Sequence, residues 1–271
     1  MFPKMSYTLI ALIVLSTVCM TACASAPSTT EIPNPADSPT APFLPNTPTA
    51  TLTPPTLTPA PPTPNFSAYA FPDSIDPAKE YMFYLHGKII EDQGLPAISP
   101  DFGEYEYEAI LKKLSEHGFV VLSEQRSKDT DALEYAQRIV GQVNKLLDAG
   151  VPASSVTVAG ASKGSFIAIY VSHLLENRAA NFVLLGSCGP DVEYLMQNQI
   201  FLYGNVLSIY DSVDNFAGSC KGLFQFSEGK GISEYNEIVL HVGTGHGILY
   251  KALDEWILPL VDWAKKDHSG D

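Results

Sequence analysis

Val158-Ala159-Gly160-Ala161-Ser162-Lys163-Gly164 sets a serine between two glycines, where a β-type run meets a helical one. In that context G-x-S-x-G has a mechanical meaning. The strand must turn sharply into a helix, with Ser162 at the strained apex and the glycines keeping nearby backbone clear. The Ser162 oxygen then points out of the sheet, and the helix N-terminus beneath it favours developing negative charge. Such a serine can attack a carbonyl carbon if a base takes its proton.

The chain has six histidines. His246 lies in Gly243-Thr244-Gly245-His246-Gly247, a glycine-rich loop just after the last strand, where a side chain is placed for chemistry rather than packing. It is the candidate base. His241 reads as a core or supporting residue within that strand, and His117, His173 and His268 read as helical or terminal. The base needs an orienting carboxylate. Asp211 and Asp214 follow the strand ending at Tyr210, and Asp191 follows Cys188-Gly189-Pro190; the order nucleophile, acid, base holds for all three. An oxyanion hole needs two convergent amides. Lys163 supplies one, its side chain being expected to face solvent. Gly87 or Lys88, after the first strand, supplies the other. His86 reads as a support for that loop. His86, Arg126 and Tyr107 are also candidate substrate contacts, although Arg126 is equally placed to pair with a local carboxylate.

These residues need elements to hold them. Apolar runs at Tyr81–Leu85, Phe119–Leu122, Ser155–Ala159, Asn181–Leu185, Asn205–Tyr210 and Glu237–His241 read as strands. Helical spacing recurs over Glu104–His117, Asp129–Ala149, Ser165–Leu175 and Tyr250–Lys265, with Pro259 inside the last. Strands that are apolar throughout, alternating with helices, call for a three-layer α/β/α sandwich. Its sheet is expected to be mostly parallel, of about six to seven strands, with functional loops beyond the strands' carboxyl ends.

Over about residues 80–268 these motifs resemble the α/β-hydrolase superfamily. That family's acid follows its strand in a pattern like H-G-x-x-D. Tyr210-Asp211-Ser212-Val213-Asp214 is similar, with Tyr-Asp replacing His-Gly, and the resemblance places the acid at Asp214. It also places the oxyanion loop at His86-Gly87-Lys88 and the histidine at His246. The chain is short before Tyr81 and has no long insertion where a lid usually sits, which implies a small lidless esterase or a dienelactone-hydrolase-like member. The resemblance implies a serine hydrolase that forms an acyl-enzyme on an ester and needs no metal or organic cofactor. A peptidase or thioesterase would use the same triad, and an inactive scaffold could serve as a binding module of the cell envelope.

The 271 residues carry a net charge of −14, which disfavours nucleic acid as a partner. Residues 1–22 have the layout of a secretory signal. Met20-Thr21-Ala22-Cys23 resembles a bacterial lipobox, with Met20 where leucine is usual, and implies lipidation at Cys23. The following stretch, 24–65, holds 13 prolines and 10 threonines, a composition that cannot build a core. It reads as a linker from 23 to 65, leaving 66–271 for the hydrolase-like domain. The expectation is an extracytoplasmic protein held on the bacterial envelope by its lipid. In such a compartment Cys188 and Cys220 could pair, a link contributing roughly 4 kcal/mol in the chain-entropy model.

Overall fold

The computed structural model describes residues 66–268. The signal 1–22, the lipidation site Cys23 and the linker 23–65 lie outside the described residues. Strand β1 (Tyr81–Leu85) passes through His86 and Gly87 into α1 (Lys88–Gln93). An antiparallel pair, β2 (Ile98–Ser99) and β3 (Gly103–Glu104), precedes α2 (Tyr107–Glu116) and β4 (Val120–Leu122). Next come α3 (Ala132–Asp148), β5 (Val156–Ala161), α4 (Lys163–Leu175) and β6 (Asn181–Leu185). Then α5 (Val192–Gln197), β7 (Tyr203–Asp211), α6 (Lys221–Ser227) and β8 (Gly231–Leu240) lead to α7 (Asp254–Lys265).

Six strands form one sheet in the order β4-β1-β5-β6-β7-β8, and all neighbouring pairs run parallel. The apolar runs explain why it is covered on both sides. Tyr81, Phe83, Val158, Phe182 and Leu184 pack on one face against Ile139 and Val143 of α3 and Ile167 and Val171 of α4. Met82, Tyr84, Val183, Leu185 and Leu207 pack on the other against Leu111 and Leu114 of α2 and Trp256 and Leu260 of α7. Each such side chain contributes roughly 1.5–3 kcal/mol of burial. The fold is the expected three-layer α/β/α sandwich, with six strands in its main sheet.

Order along the sheet reverses at β1 and β5. β4 lies on one side of β1, and the chain then returns to the other side and continues outward from β5. Loops leaving the carboxyl ends of β1 and β5 therefore diverge around a crevice, the usual site position in such sheets.

Several local expectations are corrected. β8 starts at Gly231, not Glu237; its outer half carries Ser233, Glu234 and Asn236 because it is an edge strand with a wet face. His241 falls beyond that strand and is exposed, with Nδ1 3.0 Å from the Ser212 hydroxyl. The last helix begins at Asp254, and Gly245–Tyr250 forms a separate 3-10 turn. Helices α1, α5 and α6 went unread because six or seven residues show too little periodicity. Cys188 and Cys220 are joined by a disulfide that ties the loop after β6 to the start of α6.

Candidate active site

Ser162 occupies the turn between β5 and α4 with φ 54° and ψ −119°. A non-glycine residue there stores roughly 1–3 kcal/mol that the surroundings must hold. Both flanking glycines are demanded by packing. A Cβ on Gly160 would come within 2.1 Å of the Gly164 carbonyl oxygen, and one on Gly164 within 1.8 Å of the Leu85 carbonyl oxygen. The helix thus starts almost on top of its own strand and of β1. The Ser162 amide donates to the Leu185 carbonyl at 2.9 Å, and its carbonyl accepts from the Ser165 amide and hydroxyl, so the apex is fixed on both sides. Lys163 is the first residue of α4, and its amide has no preceding turn to bond.

His246, in the turn after β8, shares with Ser162 a cavity of about 110 Å³, also walled by Gly87, Lys88, Tyr105 and Leu249. Its Nδ1 lies 2.8 Å from Oδ2 of Asp214, whose side chain has no solvent exposure. The other oxygen of Asp214 accepts the amides of Phe216 at 2.8 Å and Ala217 at 3.1 Å. Burial pushes this carboxyl up, but the bond from His246 and the two amides outweigh it and hold it below its ordinary value. An ionised carboxylate can only accept, so Nδ1 carries the hydrogen and Nε2 of the neutral ring keeps a lone pair. Gly186, with φ 57°, clears space for this ring: a Cβ there would stand 3.2 Å from the imidazole and 2.7 Å from Leu249. Nothing in the sequence pattern marked Gly186.

The other two acid candidates are placed differently. Buried Asp211 binds the amides of Val213 at 3.0 Å and Gly243 at 2.9 Å, holding together the loops that carry Asp214 and His246. Asp191 is exposed at the start of α5.

The loop after β1 is held by a buried network. The Arg126 amide donates to Nε2 of His86 at 2.9 Å, so Nδ1 must carry the hydrogen, and it donates to the Gly87 carbonyl at 2.8 Å. Burial first, and the Arg126 charge second, lower the His86 pKa to about 3. The Arg126 guanidinium bonds the His86 carbonyl and, at 2.6 Å, Oε1 of Glu91. Lys163 Nζ reaches Oε2 of Glu91 at 2.5 Å and the Thr130 carbonyl at 2.7 Å. The side chains of Arg126 and Glu91 have no solvent exposure.

This network and its neighbours decide between the readings. His86 supports the loop and Arg126 pairs with a carboxylate, Glu91, both buried beneath the loop, and neither takes the alternative role of substrate contact. Tyr107 is buried too, its hydroxyl 2.6 Å from that of Ser123. The Lys163 side chain turns inward to Glu91 instead of facing solvent. Tyr105, next to Tyr107, is the tyrosine on the cavity wall; burial pushes its hydroxyl up to about 12. That hydroxyl lies 2.8 Å from the hydroxyl of Tyr84. Gly87 lies against the nucleophile turn, where a Cβ would sit 3.6 Å from Cβ of Ser162. Glu91 was missed altogether, since a single acid in a short unread helix carries no signal. Among the described residues no group of three or more His, Cys, Asp or Glu could hold a metal ion.

No protein-family model matches the chain, and no curated protein does. Solved structures do. SOBER1 of Arabidopsis thaliana is 12% identical with a TM-score of 0.47, covering 69% of this chain and 98% of that one. A truncated carbohydrate esterase from gut microbiota is 13% identical with a TM-score of 0.45, covering 72% and 90%. The sugar hydrolase YeeB of Lactococcus lactis is 12% identical with a TM-score of 0.45, covering 73% and 91%. What this chain does must be read from its own side chains.

Proposed function

We propose that this chain is a serine hydrolase that cleaves an ester-type bond through an acyl-enzyme on Ser162. The observation that carries the reading is the strained Ser162 turn opening into the same cavity as His246, whose Nδ1 is bonded to a carboxylate held ionised.

Nε2 of His246 takes the Ser162 proton as Oγ attacks the carbonyl carbon. Asp214 fixes the ring's tautomer and stabilises the imidazolium that forms. The tetrahedral oxyanion is received by the amides of Lys163 and Lys88, each the first residue of its helix and free of an intrahelical partner. Gly87, which lies against the nucleophile turn, is the alternative for the second position. His246 returns its proton to the leaving oxygen, the C–O bond breaks, and the alcohol departs. The same nitrogen then takes a proton from water as the water oxygen bonds the acyl carbon, and returns it to Oγ of Ser162 as the Oγ–C bond breaks and the acid leaves.

The setting we propose is outside the cytoplasm, on a membrane, through lipid on Cys23 and the proline- and threonine-rich segment behind it. A linker of that composition and length could reach on the order of 130 Å.

A panel of esters, thioesters and peptides, run on the full chain beside Ser162→Ala, His246→Ala and Asp214→Ala, tests the chemistry. Ester turnover lost by at least about 10³-fold in the first two variants supports it. Turnover that survives Ser162→Ala rejects Ser162 as nucleophile, and peptide or thioester turnover without ester turnover moves the bond class.

A further inference from the structure

Phe216 is the most exposed large apolar side chain among the described residues, at 66%. A lone exposed apolar group needs no explanation, but the position and fixation of this one are unusual. Its ring centroid lies 5.3 Å from that of His246, near edge-on at 60°. Its amide is bonded to Oδ1 of Asp214, and so is the next amide along. The Gly218 amide is bonded to the Ser187 carbonyl at 2.9 Å, and the disulfide at Cys220 closes the segment two residues later. The ring is therefore presented to solvent by a pinned turn. Val213, also exposed, belongs to the same turn, and Phe102 lies 6.4 Å from the imidazole.

We propose that Phe216 selects the leaving group: the favoured substrate is an ester whose alcohol is neutral and carries an aromatic or bulky apolar group near the ester oxygen. This rests on the hydrolase reading above. His246 must hand its proton to the leaving oxygen, which requires that oxygen within about 3 Å of Nε2. The first carbons of the alcohol then fall within contact of rings 5.3 Å and 6.4 Å from the imidazole centre. An alcohol bearing a ring can stack on Phe216, whereas a small alcohol leaves it in water. Charge points the same way. Neither residues 191–220 nor 231–250, which build this side of the site, contain a lysine or arginine. Lys88, on the cavity wall, is already paired with Asp92 at 2.6 Å, so a phosphate- or carboxylate-bearing alcohol finds no unpartnered cation there, in a chain whose net charge is −14.

Benzyl acetate and ethyl acetate separate the ring from leaving-group chemistry, because their alcohols are of similar acidity. The quantity read is the ratio of kcat/KM for benzyl over ethyl, on the full chain and on its Phe216→Ala, Phe216→Leu and Leu258→Ala variants. Leu258 is an exposed residue of α7 and serves as the control. The expected result is a ratio about 5- to 10-fold lower in Phe216→Ala, the scale of one aromatic contact, intermediate in Phe216→Leu and unchanged in Leu258→Ala. The acetate of 4-(hydroxymethyl)benzoic acid, the same ring with a carboxylate, should react about 10-fold more slowly than benzyl acetate. A ratio within about 2-fold of the parent in Phe216→Ala overturns the proposal, as does equal use of the carboxylated ester. Labelling of Ser162 by a fluorophosphonate distinguishes the failures. Labelling without ring preference defeats this inference alone, and no labelling defeats the hydrolase reading as well.

Discussion

Removing the Glu91 carboxylate should be among the most damaging single changes outside the cavity. Its two oxygens hold Arg126 at 2.6 Å and Lys163 at 2.5 Å. The two cations differ in their escape routes. Lys163 is 20% exposed and keeps the Thr130 carbonyl, so it can turn toward water. Arg126 is fully enclosed, and its second terminal nitrogen already lacks a partner. Glu91→Leu would leave that guanidinium buried against the His86 carbonyl and the Tyr135 ring alone. Breaking a buried pair in this way costs about 3–5 kcal/mol, a large share of the roughly 5–15 kcal/mol that holds a domain together. For a domain of this size that lowers Tm by roughly 6–20 °C. Adding Arg126→Met removes the stranded charge and should recover at least half of the loss. Urea unfolding of the parent, both single variants and the double variant measures the coupling. A Glu91→Leu loss below about 1 kcal/mol, or a double variant no more stable than Glu91→Leu, refutes the reasoning.

Three further outcomes follow from the same geometry. His86 is held neutral to about pH 3 when folded and takes a proton near 6.5 when unfolded; the unfolded chain binds the extra proton between those values, so stability falls as pH drops. Between pH 6.5 and 4.5 the loss should be about 2–3 kcal/mol, read by urea titration, and His86→Asn should flatten it; an equal slope in that variant contradicts the assignment. Gly164→Ala forces a methyl onto the Leu85 carbonyl, with backbone on both sides. It should cost more than about 3 kcal/mol or abolish soluble expression, whereas a Tm within a few degrees of the parent would show that the helix can move off β1. The cavity at Ser162, about 110 Å³, is well below the roughly 300 Å³ of ordinary ligand pockets. Acetyl and butyryl esters of one alcohol should therefore surpass the decanoyl ester by about 10-fold or more in kcat/KM, and a preference for the long chain would place the acyl group elsewhere.

The layered fold was legible because the buried strands are apolar on both faces and helices of 10 to 17 residues separate them. The serine turn was legible because two glycines at that spacing answer two backbone collisions. Strand ends also brought His246 and Asp214 into view, since loops there have no packing reason to hold a histidine and an acid in register. What stayed hidden was whether a polar side chain points outward or inward. The Lys163 side chain read as facing solvent, and Arg126 read equally as a substrate contact or as half of an ion pair; both turn into the protein because Glu91, on an unread six-residue helix, waits beneath them. Sequence spacing reports distance along the chain, and Glu91 meets its partners 35 and 72 residues away. The exposed half of β8 was missed for the opposite reason, its wet edge carrying polar residues that resemble a loop.

The most direct test of the central claim is reaction of the full chain with a fluorophosphonate, with the modified residue mapped by mass spectrometry. The account expects one adduct per chain, on Ser162, absent in Ser162→Ala and strongly slowed in His246→Ala. A folded parent chain that takes up no label, or an adduct that maps to any other residue, would contradict it.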